Sequence, residues 1–98
     1  MIHLDPTQLR LVKSLVGVVA PHASAWVFGS RSTGIHLKKF SDLDIVLKAN
    51  DVDGLIDTEA LKSHFSASDL PYMVDVLDWN TLDDEFRELI TPQLQTLI

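Results

Sequence analysis

Two apolar runs, Ala25–Phe28 and Asp42–Leu47, are joined by a short polar link with no room for a full crossover helix. A parallel connection between neighbouring strands needs about a dozen or more residues and usually a helix, so the two runs read as antiparallel neighbours. The first run stops at Gly29-Ser30, and the second opens with two carboxylates one residue apart, Asp42-Leu43-Asp44. Side chains alternate along a strand, so Asp42 and Asp44 share one face while Leu43, Ile45 and Leu47 take the other. One face is core and the other is a site.

The residue types at that site point to phosphate and metal chemistry. Two ionised carboxylates so close repel each other and resist desolvation, so they call for cations or strong donors. Hard oxygen ligands at this spacing suit Mg²⁺, which is commonly held by one or two carboxylates with water and substrate phosphates. Gly29 lets backbone approach a ligand, and a short helix after it would turn free N–H groups toward an anion. Ser30 adds a hydroxyl. Arg31 is the cation placed to meet a triphosphate, whereas Lys38 and Lys39 read as a solvated loop and stay outside the site.

The rest of the chain supplies the layers. Asp5-Pro6 starts a helix, with Gln8 placed to complete the cap and Leu9, Val12, Leu15, Val16 and Val19 on one face before Pro21 stops it. Asp53 or Asp57 caps a helix reaching to about Ser66. Met73–Leu77 forms a third strand, and Thr81-Leu82-Asp83-Asp84 reads as a capping box before Phe86, Leu89 and Ile90. Helices alternating with strands predict a small mixed sheet flanked by helices, an α/β (α+β) fold of three or slightly more strands. Asp75 lies inside that third apolar strand. If the strand neighbours Asp42 and Asp44, three carboxylates converge, although a lone aspartate there would more simply be a salt-bridged or edge residue.

Ninety-eight residues make one small domain, 1–98, without cysteines to reinforce its core. A partner subunit is the remaining natural reinforcement, and Leu94, Leu97 and Ile98, at helical spacing, could dock on another helix or cover the sheet. A net charge of −6 argues against general nucleic-acid binding, which rests on a basic patch. No segment reads as a membrane span or signal peptide, so a cytoplasmic location is expected. His3, His22, His36 and His64 have no metal-ligand spacing. Trp26 and Trp79 read as packing, and Asp78 as a turn residue.

Together, Val27-Phe28-Gly29-Ser30-Arg31, Phe40-Ser41-Asp42-Leu43-Asp44 and Ser68 to Trp79 resemble the nucleotidyltransferase superfamily of DNA polymerase beta, and within it the stand-alone minimal nucleotidyltransferases. The likeness runs from Trp26 through Ile90, with a slightly longer loop between Ser30 and Asp42. It implies Asp42, Asp44 and Asp75 as catalytic metal ligands for two Mg²⁺ ions, with Asp75 as the base, and Gly29, Ser30 and Arg31 on the nucleotide. It implies AMP transfer from ATP to a hydroxyl. Minimal nucleotidyltransferases are commonly encoded beside a helical HEPN-type protein in a toxin–antitoxin pair, so the resemblance also implies a hetero-oligomer in which a tyrosine of that partner is modified. Two rivals are a non-catalytic nucleotide-sensing or partner-neutralising subunit, and transfer to a small molecule held by a partner.

Overall fold

The computed structural model describes residues 1–51 and 54–98. Helix α1 (Pro6–Val19) is capped by Asp5, whose carboxylate accepts from the N–H groups of Thr7 at 2.7 Å and Gln8 at 3.3 Å. The Gln8 side chain does not complete that cap as expected. It reaches across the structure and accepts the Tyr72 hydroxyl at 3.0 Å.

Strand β1 (Ala23–Phe28) begins before the predicted run, because Ala23 is buried and pairs with Ala49. A single helical turn, α2 (Ser30–Thr33), follows Gly29. Then come β2 (Leu43–Ala49), α3 (Thr58–Ser66) and β3 (Val74–Asp78). A 3-10 turn at Trp79–Thr81 leads to α4 (Asp84–Ile90), and a second at Thr91–Gln93 leads to β4 (Gln95–Thr96). Of the two caps expected for α3, Asp57 holds the position, accepting from the Ala60 N–H at 2.9 Å, and Asp53 lies outside the described residues. The cap of α4 is Asp83, which accepts from the Phe86 N–H at 2.8 Å. Thr81 does not cap it, because its hydroxyl is taken by the Asp78 carbonyl at 2.8 Å.

The sheet runs β3-β2-β1-β4, with β1 antiparallel to both of its neighbours and β2 parallel to β3. A mixed sheet of three or slightly more strands was expected; that the C-terminal tail supplies the fourth was not. Leu94, Leu97 and Ile98 follow helical spacing, yet the tail is extended along β1, whose edge backbone groups need partners. Leu97 donates its N–H to the Ala25 carbonyl at 2.8 Å and buries its side chain in the core.

Alternation splits the sheet cleanly. Ala23, Ala25 and Val27 of β1, Leu43, Ile45 and Leu47 of β2 and Val76 of β3 pack under Val12 and Val16 of α1 and Leu61 and Phe65 of α3. On the opposite face a smaller cluster joins Phe28, Val46 and Ile90, edged by Trp26, Leu77, Trp79 and Phe86. The tryptophans therefore serve as packing. α4 packs on this second face through Ile90 and Phe86, the Phe86 ring meeting Phe28 edge-on with centroids 6.1 Å apart. No helix among the described residues is long and apolar enough to cross a membrane.

Candidate active site

The two halves of the sequence pattern meet where β1 ends and β2 and β3 begin. Phe28 pairs with Asp44 across the antiparallel register, and Asp44 pairs with Asp75 across the parallel one. Gly29, the residue after Phe28, therefore lies against Asp44. A Cβ at that position would collide with the Asp44 carboxylate, and φ is +74°, so a glycine is required on two grounds. Asp42, just ahead of β2, shares the face of Asp44 by alternation.

These carboxylates are an electrostatic liability. The Asp44 carboxyl is pushed up from 3.8 to about 6, first by burial, then by the charges of Asp75 and Asp42 and by the hydrogen bond its protonated form donates to Asp75. Asp42 and Asp75 themselves are exposed. Among the described residues, no three His, Asp or Glu side chains are gathered at ligating distance around one point. What the backbone does bring together is a strand-paired couple of acids with a third beside it, an all-oxygen donor set whose excess negative charge fits a hard divalent cation.

Arg31, expected on the nucleotide, is held by the protein's own backbone. It is 6% exposed, and its guanidinium is committed to main-chain oxygens: Nε to Ser41 at 2.9 Å, Nη1 to His3 at 3.0 Å and Nη2 to Lys39 at 3.2 Å. Its carbon lies 4.0 Å from the centroid of the Tyr72 ring. Ser30 is half-buried in the first turn of α2, where N–H groups lack intrahelical acceptors. Lys38 and Lys39 are exposed, as expected.

The C-terminal segment adds residues that sequence reasoning missed. The Gly29 N–H donates to Gln93 Oε1 at 2.9 Å, the Ser32 hydroxyl donates to the Gln93 carbonyl, and Gln95 Nε2 donates to the Ser32 carbonyl at 2.6 Å. Gln93 and Gln95 thus tie the C-terminal segment to the Gly-Ser turn. The pairing of β4 with β1 brings them there, and a two-residue strand leaves no periodic signal. Beyond Asp75 an open groove of about 680 Å³ is lined by Phe40, Asp42, Lys62, Phe65, Met73 and Asp75, so Asp42 and Asp75 face accessible space.

Residues 19–98 match the family described as "Polymerase beta, Nucleotidyltransferase". The chain belongs to that family. Among curated relatives, the Haemophilus influenzae protein named "Probable protein adenylyltransferase MntA" is 41% identical over 91% of this chain and 77% of its own length. A solved toxin–antitoxin structure with AMP-PNP superposes with a TM-score of 0.74 at 25% identity, covering 92% of this chain and 72% of that one. A Shewanella oneidensis complex of a tri-AMPylated HEPN toxin with its MNT antitoxin is alike in fold, with a TM-score of 0.64 at 23% identity over 92% of this chain and 71% of that one.

The nucleotidyltransferase is thus of the minimal type that its motifs resemble, and its substrate is a nucleotide. His3, whose carbonyl holds Arg31, lies ahead of the residues that the family match covers.

Proposed function

We propose that this nucleotidyltransferase moves AMP from ATP onto a tyrosine hydroxyl of a HEPN-type helical partner, as the antitoxin of a toxin–antitoxin pair in the cytoplasm. The observation that carries the reading is the registration of Asp44 against Asp75 beside the Gly29-Ser30 turn. The protein-adenylyltransferase relative and the toxin–antitoxin structure with a bound ATP analogue support the reaction class and the kind of partner.

In this reading the turn at Gly29 and Ser30 receives the phosphates that leave as pyrophosphate. The groove beyond Asp75 admits the acceptor, and Asp75, the exposed member of the strand pair, takes the proton of the attacking hydroxyl. The bond from the α-phosphorus to the bridging oxygen breaks as the bond to the tyrosine oxygen forms. Asp42, Asp44 and Asp75 are the residues that would hold Mg²⁺, two ions by the usual arrangement; when bound, the metal supplies charge neutralisation at the entering and leaving oxygens.

The test is transfer of labelled AMP to the helical protein encoded beside this chain. Asp42→Asn/Asp44→Asn is expected to lower the rate by roughly a thousandfold, the equivalent of about 4 kcal/mol. Unchanged labelling in that double variant overturns the site. Stabilisation by ATP and Mg²⁺ without any labelled product would favour the rival reading, a partner-neutralising subunit that binds but does not transfer.

A further inference from the structure

Arg31 is a buried guanidinium whose recorded hydrogen bonds all go to neutral main-chain oxygens, an unusual setting for a permanent charge. The identity of its partners explains the setting. Ser41 is the residue directly before Asp42, and its carbonyl accepts the Nε–H. Lys39, two residues earlier in the same loop, accepts from Nη2. Tyr72, whose ring the guanidinium covers at 4.0 Å, lies in the segment that leads into β3 and Asp75. Arg31 itself is the residue after Ser30. The backbone is tied in the same place: the Leu43 N–H donates to the Met73 carbonyl at 2.9 Å, and the His3 N–H donates back to the Arg31 carbonyl at 2.7 Å.

We propose that Arg31 is a positioning residue that fixes the relative placement of the Gly-Ser turn, Asp42 and Asp75 by clamping the loop before β2 and the segment before β3, with the N-terminal strap at His3 closing the clamp from outside. This inference rests on the transfer reading above for its kinetic arm. A planar fork of donors spans three carbonyls in fixed directions, which the single ammonium of a lysine cannot do. The Tyr72 face adds a contact that depends on flat stacking. Removing the fork frees residues 39–42 at one end and Tyr72 at the other. Displacements of about 1 Å at reacting groups cost on the order of a hundredfold in rate.

The experiment compares the whole chain with Arg31→Lys, Arg31→Ala and Tyr72→Leu in AMP transfer to the helical partner. Expected for both arginine variants is a kcat lower by about a hundredfold with the KM for ATP within about twofold of wild type, because the group acts on placement and not on phosphate binding. Ethylguanidinium added at millimolar levels restores part of the kcat of Arg31→Ala and none of that of Asp75→Asn. A raised KM for ATP with kcat unchanged makes Arg31 a phosphate ligand and overturns the proposal; so does an unaltered kcat, or absence of rescue in a variant whose circular dichroism is native. If the arginine variants do not fold, Tyr72→Leu decides, with a severalfold fall in kcat expected and an unchanged kcat fatal. If wild type transfers no AMP, the functional reading fails while the clamp stays testable by amide hydrogen exchange. Faster exchange at residues 39–43 in Arg31→Lys supports it, and unchanged exchange there rejects it.

Discussion

On the face covered by α1 and α3, β2 presents Leu43, Ile45 and Leu47, all fully buried among aliphatic neighbours. On the other face come Asp42, just ahead of the strand, and Asp44, then Val46, which returns to a sealed apolar cluster. A single residue separates a carboxyl raised by burial and like charge from a valine with no exposed surface. The comparison teaches where stability resides. The first face drives folding through removal of apolar area from water, whereas the carboxylate end of the second is held against its own repulsion by the rest of the molecule.

The largest expected effect lies on the stable face. Ile45→Ala removes a wholly buried side chain from the centre of the sheet and is expected to cost about 2–5 kcal/mol, read as a lower denaturation midpoint with an unchanged slope. A loss below about 1 kcal/mol would mean that this face is not the main source of stability. Next comes Gly29→Ala, where the added methyl meets the Asp44 carboxylate and the backbone keeps a positive φ. About 1–3 kcal/mol of stability is expected to go, together with transfer activity, because the acid has to move. Full activity in that variant would break the link between the turn and Asp44.

A smaller loss is expected at the tail. Gln93→Ala leaves the Gly29 N–H without its side-chain acceptor at a half-buried position, a change of about 1 kcal/mol. Thermal denaturation measures the loss. A drop in AMP transfer well beyond it would show that the tail tunes the turn as well as stabilising it.

What the sequence revealed follows the same division. Period-two alternation at Leu43, Ile45 and Leu47 and helical spacing at Val12 and Val16 are properties of contiguous residues, so the main layers and the shared face of Asp42 and Asp44 were legible. The strand order that sets Asp44 beside Asp75 required the family resemblance as well. The contacts around Arg31 were not legible, because His3, Ser41 and Tyr72 contribute main-chain oxygens or a ring face from three separate segments, and a carbonyl is the same in every residue. Gln93 and Gln95 were hidden for a similar reason: their neighbours Leu94, Leu97 and Ile98 fit a helical stripe, and only the open edge of β1 draws the tail into an extended strand.

The smallest effect carries the opposite sign. The carboxyl of Asp44 has a folded-state pKa of about 6 against 3.8 for the free side chain, so between these values the folded chain holds a proton that the unfolded chain has released. Stability from this group is full below about pH 4, falls as pH rises toward 6, and is absent above it. Asp44→Asn removes the charge and keeps the shape. In the metal-free protein at pH 7.5 it is expected to raise stability by about 1 kcal/mol, after allowance for solvent screening of a partly exposed acid. At pH 4 the gain is expected to vanish, because wild type is then protonated too. Thermal unfolding at the two pH values, with chelator present, measures the difference. A variant less stable than wild type at pH 7.5 would mean that Asp44 is held by a favourable partner, and the contrast between the two faces of β2 would fail at its central residue.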